Sequence, residues 1–333
     1  MREIKFNLTL PMTSLERVRE YATLAEELGF YSVSVGDHLF VRVPHLSWGP
    51  QVPHLECFMT LSAVAATTQR VRLAPLVAVV PFRSPALLAK MTSTIDQISG
   101  GRLIAGLGSG WFNDEFTAYG YGSGSDSERI ERLAEAICVL KAMWTQEEPS
   151  YRGRYYTIDK AYNFPKPLQK PHPPIMIGGA GRKVLEIAAR EADIVNLVSS
   201  APAANRGGRF DKAKLRRRLE MLREFARSAG RDPDSIEISG FPFVFIAGDK
   251  SEADATGAKI AQRNGFAKID EARESPGLLL GTPAEIKREL HSRIEEFGMT
   301  YYMVSLPNAE ATRLFATQVM PEFIKQPQSA HPD

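Results

Sequence analysis

The chain alternates eight times between a short β-branched run and a longer segment whose apolar residues recur at helical spacing. This alternation is typical of parallel βα units. Eight units within 333 residues predict a (β/α)8 barrel, with residues 1–333 as one domain. The predicted strands are Ile4–Leu10, Ser32–Gly36, Val71–Val80, Arg102–Gly108, Ile175–Gly178, Ile194–Leu197, Glu237–Ala247 and Tyr301–Ser305.

The segments between these strands carry their apolar residues on one face, as expected of helices that surround a barrel. Long insertions at 37–53, 111–126 and 149–174 follow predicted strands, where active-site loops of barrels lie. The predicted faces are Leu87, Leu88, Met91, Ile95 and Ile98; Ile130, Leu133, Ile137, Leu140 and Trp144; and Ile286, Leu290, Ile294 and Phe297.

A doubly wound open sheet is the alternative fold, with a domain boundary in the proline-rich segment 165–174. That fold predicts a glycine-rich dinucleotide fingerprint after the first strand. Residues 10–14, Leu-Pro-Met-Thr-Ser, contain none, so the barrel is favoured.

The composition excludes several partners. The 41 Lys and Arg residues nearly balance the 39 Asp and Glu residues, and a net charge of +2 gives no field that would gather nucleic acid or a membrane surface. Only two cysteines occur, Cys57 and Cys138, both within apolar helical patterns, so no disulfide framework is expected. With no stretch long and apolar enough to span a membrane, we expect a cytoplasmic protein.

Glycines follow the fifth predicted strand directly. Gly178, Gly179, Ala180 and Gly181 lie between that strand and a helical pattern. Free N–H groups at a helix start, and backbone that another group can approach closely, suit a phosphate. The alternative is a tight βα turn in which the glycines serve backbone geometry alone.

A second glycine-rich segment, Gly106–Trp111, follows the fourth predicted strand. Gly108 and its neighbours would allow a planar ring to lie against the backbone, with Trp111 as a wall of that pocket. The alternative is a turn beside a core tryptophan.

Asp37 and His38 end the second predicted strand, at the mouth where catalysis in barrels occurs. An imidazole titrates near neutral pH and can move the proton that accompanies hydride transfer. Asp37 can anchor a ligand or, alternatively, cap the next segment.

A metal site is not predicted. His45, His54 and Glu56 are candidate ligands in the following loop, but they lack the spacing of a helical metal motif and no cysteine accompanies them.

In this order, the segments resemble the bacterial-luciferase-like superfamily of flavin and deazaflavin oxidoreductases, and within it the F420-dependent branch. The resemblance runs nearly end to end. Its blocks are Gly36–Leu39, Phe82–Lys90, Asp96–Leu103, Gly106–Trp111 with Glu115, Pro165–Ile175 with Ile177–Gly181, Ala188–Val195, and Gly281–Pro283.

The resemblance implies a barrel that binds a (deaza)flavin at its carboxyl-terminal mouth and passes hydride to or from a small organic substrate. It implies that Asp37 contacts the ring, that His38 handles the proton and that residues 178–181 hold the phosphate. Leu76 and Val77 fall where the family often has a non-proline cis peptide against the ring. Sugar-phosphate dehydrogenases of this superfamily carry a glutamate where this chain has Trp111, so the resemblance does not extend to that activity.

Four functions are compared. An F420-dependent oxidoreductase is favoured, since the deazaflavin has a ring hydroxyl and an acidic tail that would suit Asp37 and the basic segment 206–218. Most basic runs are simply solvated helix faces. The alternatives are an FMN-dependent monooxygenase supplied by a separate reductase, a metal-dependent hydrolase and a non-catalytic flavin-binding protein. We also expect a homo-oligomer, a homodimer in the simplest case.

Overall fold

The computed structural model describes residues 3–40, 51–122, 124–199 and 211–324. Its β-strands are β1 Lys5–Thr9, β2 Ser32–Val35, β3 Arg72–Pro75, β4 Ala78–Val79, β5 Ala105–Gly108, β6 Tyr151–Arg152, β7 Thr157–Ile158, β8 Ile175–Gly178, β9 Ile194–Ser199, β10 Glu237–Phe241, β11 Phe243–Ile246, β12 Leu278–Gly281 and β13 Met299–Val304. Its α-helices are α1 Leu15–Glu27, α2 Cys57–Thr67, α3 Pro85–Ile98, α4 Asn113–Ala118, α5 Asp126–Thr145, α6 Arg182–Glu191, α7 Lys212–Ser228, α8 Lys250–Arg263, α9 Ile269–Arg273, α10 Pro283–Phe297 and α11 Ala309–Gln318.

Nine of these strands form one parallel sheet in the order β3-β2-β1-β13-β10-β9-β8-β5-β4. The two ends of that order, β3 and β4, are halves of one chain segment, and a parallel bridge joins Leu73 of β3 to Leu103, just before β5. The sheet therefore closes into the predicted eight-stranded barrel. All of its carboxyl-terminal strand ends open at one mouth, because the strands are parallel.

Two predicted strands are each broken in the structure. The segment predicted as Val71–Val80 is interrupted after Pro75, and the peptide bond between Leu76 and Val77 is cis. The segment predicted as Glu237–Ala247 breaks at Pro242, which has no N–H to donate to a strand ladder. Beyond that proline, β11 leaves the barrel and pairs with β12, a strand that the sequence pattern did not predict. The small β6–β7 hairpin in the 149–174 insertion was not predicted either.

The helices bury one face each, as predicted, but the predicted α3 face is partly wrong. Leu88 and Ile95 are buried, whereas Leu87 is 54% exposed and Ile98 is 47% exposed. The α5 and α10 faces are correct: Leu133, Ile137, Leu140 and Trp144, and Ile286, Leu290 and Phe297, are buried, while Ile130 and Ile294 pack partly buried against the core. Across the described ranges, no helix is both long and apolar enough to cross a membrane.

A half-buried carboxylate, Glu26, binds the backbone of the turn before β3 at the amino-terminal face of the barrel. Glu26, near the end of α1, accepts backbone N–H bonds from Gln69 at 2.9 Å and Val71 at 3.0 Å, and a further one from Arg70. Burial alone would raise the pKa of Glu26, but these three N–H donors outweigh it and hold the pKa below its usual value.

Replacing Glu26 with glutamine is expected to lower the free energy of unfolding at neutral pH by about 1 kcal/mol or more, since bonds to a charged acceptor are lost. A carboxylate whose folded pKa is depressed stabilises the fold above its unfolded pKa, and this contribution is lost as the pH falls through the folded pKa. The difference between wild type and Glu26→Gln in urea unfolding should therefore vanish in acid. Glu27→Gln, at the exposed neighbouring position, is the matched control, and an equal loss in both variants would refute the role of Glu26.

Candidate active site

His38 stands at the mouth of the barrel, three residues beyond the end of β2. Its Nδ1 lies 2.8 Å from Oε2 of Glu115, whose side chain is 1% exposed. The other carboxylate oxygen, Oε1, accepts the N–H groups of Leu39 at 2.6 Å and Phe40 at 3.3 Å. Glu115 therefore fixes both the imidazole and the backbone that carries it.

This contact sets which nitrogen is available for chemistry. A carboxylate only accepts hydrogen bonds, so Nδ1 carries a proton and Nε2 is the nitrogen left to exchange one with a ligand. A carboxylate behind an imidazole also stabilises the imidazolium that forms when Nε2 takes a proton. The His38–Glu115 pair is thus built as a general acid or base.

No role was predicted for Glu115 from the sequence, although the residue belongs to one of the blocks that carry the resemblance. Glu115 lies 77 positions from His38, on the short helix α4. The signal available was its place in the first turn of a helix directly after the glycine turn, and only the folded structure shows that this turn faces β2.

Three rings surround the imidazole of His38. Trp111 and Phe112 meet it edge-on, with ring centroids 5.7 Å and 6.5 Å away, and His54 lies 6.2 Å away. Trp111, predicted as a pocket wall, is half-buried beside His38. Burial and the neighbouring His38 lower the pKa of His54, so it is neutral near neutral pH.

Asp37 faces away from His38, into a buried ion pair. Its oxygens accept two hydrogen bonds from the Arg83 guanidinium, at 2.6 Å and 3.0 Å, and the N–H of Val79 at 2.7 Å. Asp37 is 3% exposed, and Asp37 raises the pKa of Arg83 against the opposing effect of burial. Asp37 therefore stabilises the segment that follows the cis peptide, through its bond to Val79. Its contact with a cofactor ring stays a prediction.

The glycines of the fourth and fifth barrel strands make room for Val77. A Cβ atom on Gly108 would lie 2.5 Å from Val77 Cγ2, and one on Gly178 would lie 3.0 Å from Val77 Cγ1. Side chains at either position would displace Val77. The structure brings Val77, Gly108 and Gly178 together, and packing against Val77 is a sufficient reason for both glycines. Contact of these residues and Leu76 with a cofactor stays a prediction.

The glycines further along the same loop differ from one another. Gly179 has φ +143°, which L side chains rarely adopt, and a Cβ there would lie 2.9 Å from Val184 Cγ1. Gly181 is the N-cap of α6 with φ −73°, and a Cβ there would meet no atom of the described residues within 4 Å. Open space at the start of α6, next to half-buried Ala180, fits the approach of a phosphate to the first N–H groups of the helix.

Substitution of Gly181 is therefore a cleaner test of phosphate binding than substitution of Gly179, where strain would add to any loss of affinity. We expect Gly181→Val to weaken cofactor binding by about 1–3 kcal/mol, because charge-assisted backbone hydrogen bonds are obstructed. Gly248→Val is the control, because Gly248 is an exposed glycine away from α6 with no left-handed φ. Wild-type affinity of Gly181→Val in a fluorescence titration would mean that no phosphate lies at this helix.

The candidate metal ligands do not converge in the part of the chain that the structure describes. Glu56 accepts the N–H of Met59 at the start of α2 and contacts Arg83 at 3.4 Å, and His54 lies against His38. His45 lies outside the described residues. No group of three potential metal ligands is found in the described ranges, and a metal-free protein stays a prediction.

Some side chains of the basic segment 206–218 form ion pairs within the protein. Lys212 contacts Glu289 at 3.3 Å, and Arg216 is paired with Glu296, both carboxylates being on α10. Residues 206–210, including Arg206 and Arg209, lie outside the described residues. Two basic side chains of the described part are thus engaged by carboxylates of the protein itself, and nothing in the described part points to an acidic cofactor tail.

Comparison with known proteins places this site in a family. Residues 5–300 match the family model of luciferase-like monooxygenases. A segment of 176 residues is 37% identical to an FMNH2-dependent dimethylsulfone monooxygenase of Pseudomonas putida, covering 53% of this chain and 46% of that protein. A segment of 219 residues is 31% identical to an F420-dependent glucose-6-phosphate dehydrogenase of Microbacterium testaceum, covering 66% of this chain and 60% of that protein. The chain thus spans about half to two thirds of the length of these two relatives.

Solved structures agree with this placement. The monooxygenase RslO1 from Streptomyces bottropensis is 27% identical, with a TM-score of 0.77 over 96% of this chain and 100% of its own. An F420-dependent secondary alcohol dehydrogenase shares the fold at 20% identity, with a TM-score of 0.78 over 96% of this chain and 99% of its own. The chain is built on a TIM barrel. It belongs to the luciferase-like monooxygenase family, whose members related to it use either F420 or a flavin.

Proposed function

We propose that the protein is an F420-dependent oxidoreductase that transfers hydride between the deazaflavin and a small organic substrate at the mouth of the barrel. The observation that carries this proposal is the His38–Glu115 pair. Hydride delivered to the carbon of a carbonyl or imine group leaves an oxygen or nitrogen that needs a proton, and the reverse reaction releases one. An imidazole with a buried carboxylate behind Nδ1, and with an Nε2 that has no hydrogen-bond partner among the described residues, can supply or remove that proton.

The residues present fit such a cofactor. The cis segment at Leu76 and Val77 would form one side of the ring site, and the start of α6 at Gly181 would hold the phosphate. When bound, the deazaflavin supplies the hydride chemistry. The chain itself orients the site through Asp37, which bonds Val79, and through Glu115, which bonds the backbone of Leu39.

An FMN-dependent monooxygenase is the second candidate. The FMNH2-dependent relative is more identical to this chain than the F420-dependent one, at 37% against 31%, although over a shorter segment. Asp37, Lys212 and Arg216 do not separate the two cofactors, because their charged groups are engaged within the protein. Under this alternative, a separate reductase would supply the reduced flavin.

The two candidates differ in their need for oxygen. Purified protein is mixed anaerobically with reduced F420 and a panel of ketones, imines and activated alkenes, and with oxidised F420 and alcohols. We expect substrate-dependent turnover of F420 without oxygen. Turnover only with FMNH2 and O2 would establish the monooxygenase instead, and loss of all activity on chelation would revive the metal-dependent hydrolase.

A homo-oligomer is supported by exposed apolar side chains on two neighbouring helices. Leu87 and Ile98 on α3 and Met59 on α2 are exposed, and the two helices pack together. We expect light scattering to give an oligomer at micromolar concentration and Leu87→Glu to shift it towards monomer, because a buried charge would be uncompensated. Leu15→Glu, at another exposed leucine, is the control. A wild-type monomer would contradict the expectation.

A further inference from the structure

Aromatic side chains continue outward from His38 as a connected group. Phe40 and Phe112 lie 5.4 Å apart between ring centroids, Trp111 and Phe112 lie 5.3 Å apart, and Tyr119 stacks on Phe40 at 6.2 Å with an interplanar angle of 20°. We call Phe40, Trp111, Phe112 and Tyr119 the aromatic wall. Its members are half-buried or exposed, so they offer ring surface that the core does not use.

The carboxylates that lie beside His38 in the described part of the chain already have partners within the protein. The described contacts of His38 are one carboxylate, Glu115, and the rings of His54, Trp111 and Phe112. Both oxygens of Glu115 are occupied by the protein's own donors, and the next carboxylate, Asp37, is held by Arg83. His54 is neutral near neutral pH because burial and His38 lower its pKa. A charged group placed against the wall would lose water without gaining a counter-ion from these neighbours.

We propose that the aromatic wall determines substrate specificity, and that the substrate is an uncharged compound with a planar apolar body and one hydroxyl or carbonyl oxygen directed at His38 Nε2. This inference rests on the proposed function, since it names the substrate class of the same site. Flat rings stack favourably on aromatic side chains beyond the area that they bury. Among the described residues, His38 Nε2 and the buried His54 Nε2 have no hydrogen-bond partner. His38 is the one with a carboxylate behind its other nitrogen, so it is the group assigned to the substrate oxygen.

Three probes of similar size separate the elements of the proposal. Acetophenone has a planar ring and a carbonyl oxygen, cyclohexyl methyl ketone lacks the planar ring, and phenyl phosphate keeps the ring but carries charge. Each is titrated by calorimetry into the full-length protein, both without cofactor and after saturation with F420. We expect acetophenone to bind at least about tenfold more tightly than either other probe.

Trp111→Ala should weaken acetophenone binding by about tenfold or more and leave F420 affinity within about twofold of wild type. Tyr162→Ala is the matched control, because Tyr162 is an exposed aromatic residue next to Asn163, which bonds Met143 near the carboxyl end of α5 and so far from the mouth. Tyr162→Ala should change neither affinity.

Several results would overturn the proposal. These are equal or tighter binding of phenyl phosphate, binding of no probe in either state, and unchanged acetophenone affinity in Trp111→Ala. A loss of F420 affinity alone in Trp111→Ala would assign the wall to the cofactor. A protein that binds acetophenone through Trp111 but binds no F420 would refute the proposed cofactor and leave the substrate class standing.

Discussion

Replacing His38 with alanine is expected to slow hydride transfer by about 10²–10⁴-fold, the usual contribution of general acid or base catalysis. The variant keeps the glycine loops and the cis segment, so cofactor affinity should change much less. Transfer is measured in single turnover from the absorbance of the bound deazaflavin, using an acceptor that the wild-type enzyme reduces. Glu115→Gln should give a smaller loss, because His38 Nε2 remains while the charge behind Nδ1 is removed.

His172→Ala is the control for removing a histidine as such, since His172 lies before β8 at the opposite end of the barrel and packs against buried Trp144. Its rate should stay near that of wild type. If His38→Ala instead loses thermal stability or cofactor affinity while keeping the rate per bound cofactor, then His38 serves packing. The proton would in that case come from substrate or water.

Replacing Asp37 with alanine is expected to destabilise the protein by about 3–5 kcal/mol, the usual effect of removing one partner of a buried ion pair. The Arg83 side chain is only 10% exposed and would lose two hydrogen bonds, and the N–H of Val79 would lose its acceptor. Urea unfolding measures the change. Glu56→Gln is the control, because Glu56 contacts Arg83 at 3.4 Å and is far more exposed, so its loss should be under about 1 kcal/mol.

A double variant tests whether the loss of stability comes from the Arg83 charge that Asp37→Ala leaves unpaired. Asp37→Ala combined with Arg83→Met removes both members of the pair and should recover much of the lost stability, since no buried charge is then left unpaired. If Asp37 instead contacts the cofactor ring, as the resemblance implies, the expected result differs. Wild-type stability of Asp37→Ala together with a large loss of cofactor affinity would restore Asp37 to the cofactor site.

The barrel could be predicted from sequence because eight periods of apolar residues alternate between two spacings, and burial imposes those spacings locally. Details that depend on particular long-range partners could not be predicted. The break at Pro242 redirects β11 towards β12, about 35 residues further along the chain, and the pattern around Leu278 is too short to identify its partner alone. Leu87 and Ile98 are exposed because of the way α3 packs on its neighbours. Helical spacing of apolar residues shows which residues share a face, but not which of them another element buries.

The candidate site divides in the same way. His38 and Trp111 each follow a predicted strand closely and meet because parallel strands end at one mouth. The role of Glu115 depends on how the loop after β5 folds back over β2, and no periodic pattern encodes that path. Asp37 has the same sequence pattern whether it faces a ligand or an arginine. The choice is made by Arg83, 46 positions away, which only the structure places beside it.

Equilibrium titration of the apoprotein with F420 and with FMN tests the central claim most directly. We expect F420 to bind in the micromolar range or tighter and FMN to bind more weakly, with Gly181→Val losing affinity for F420 while the control Gly248→Val does not. Equal affinities, or tighter binding of FMN, would contradict the assignment of the deazaflavin to this barrel.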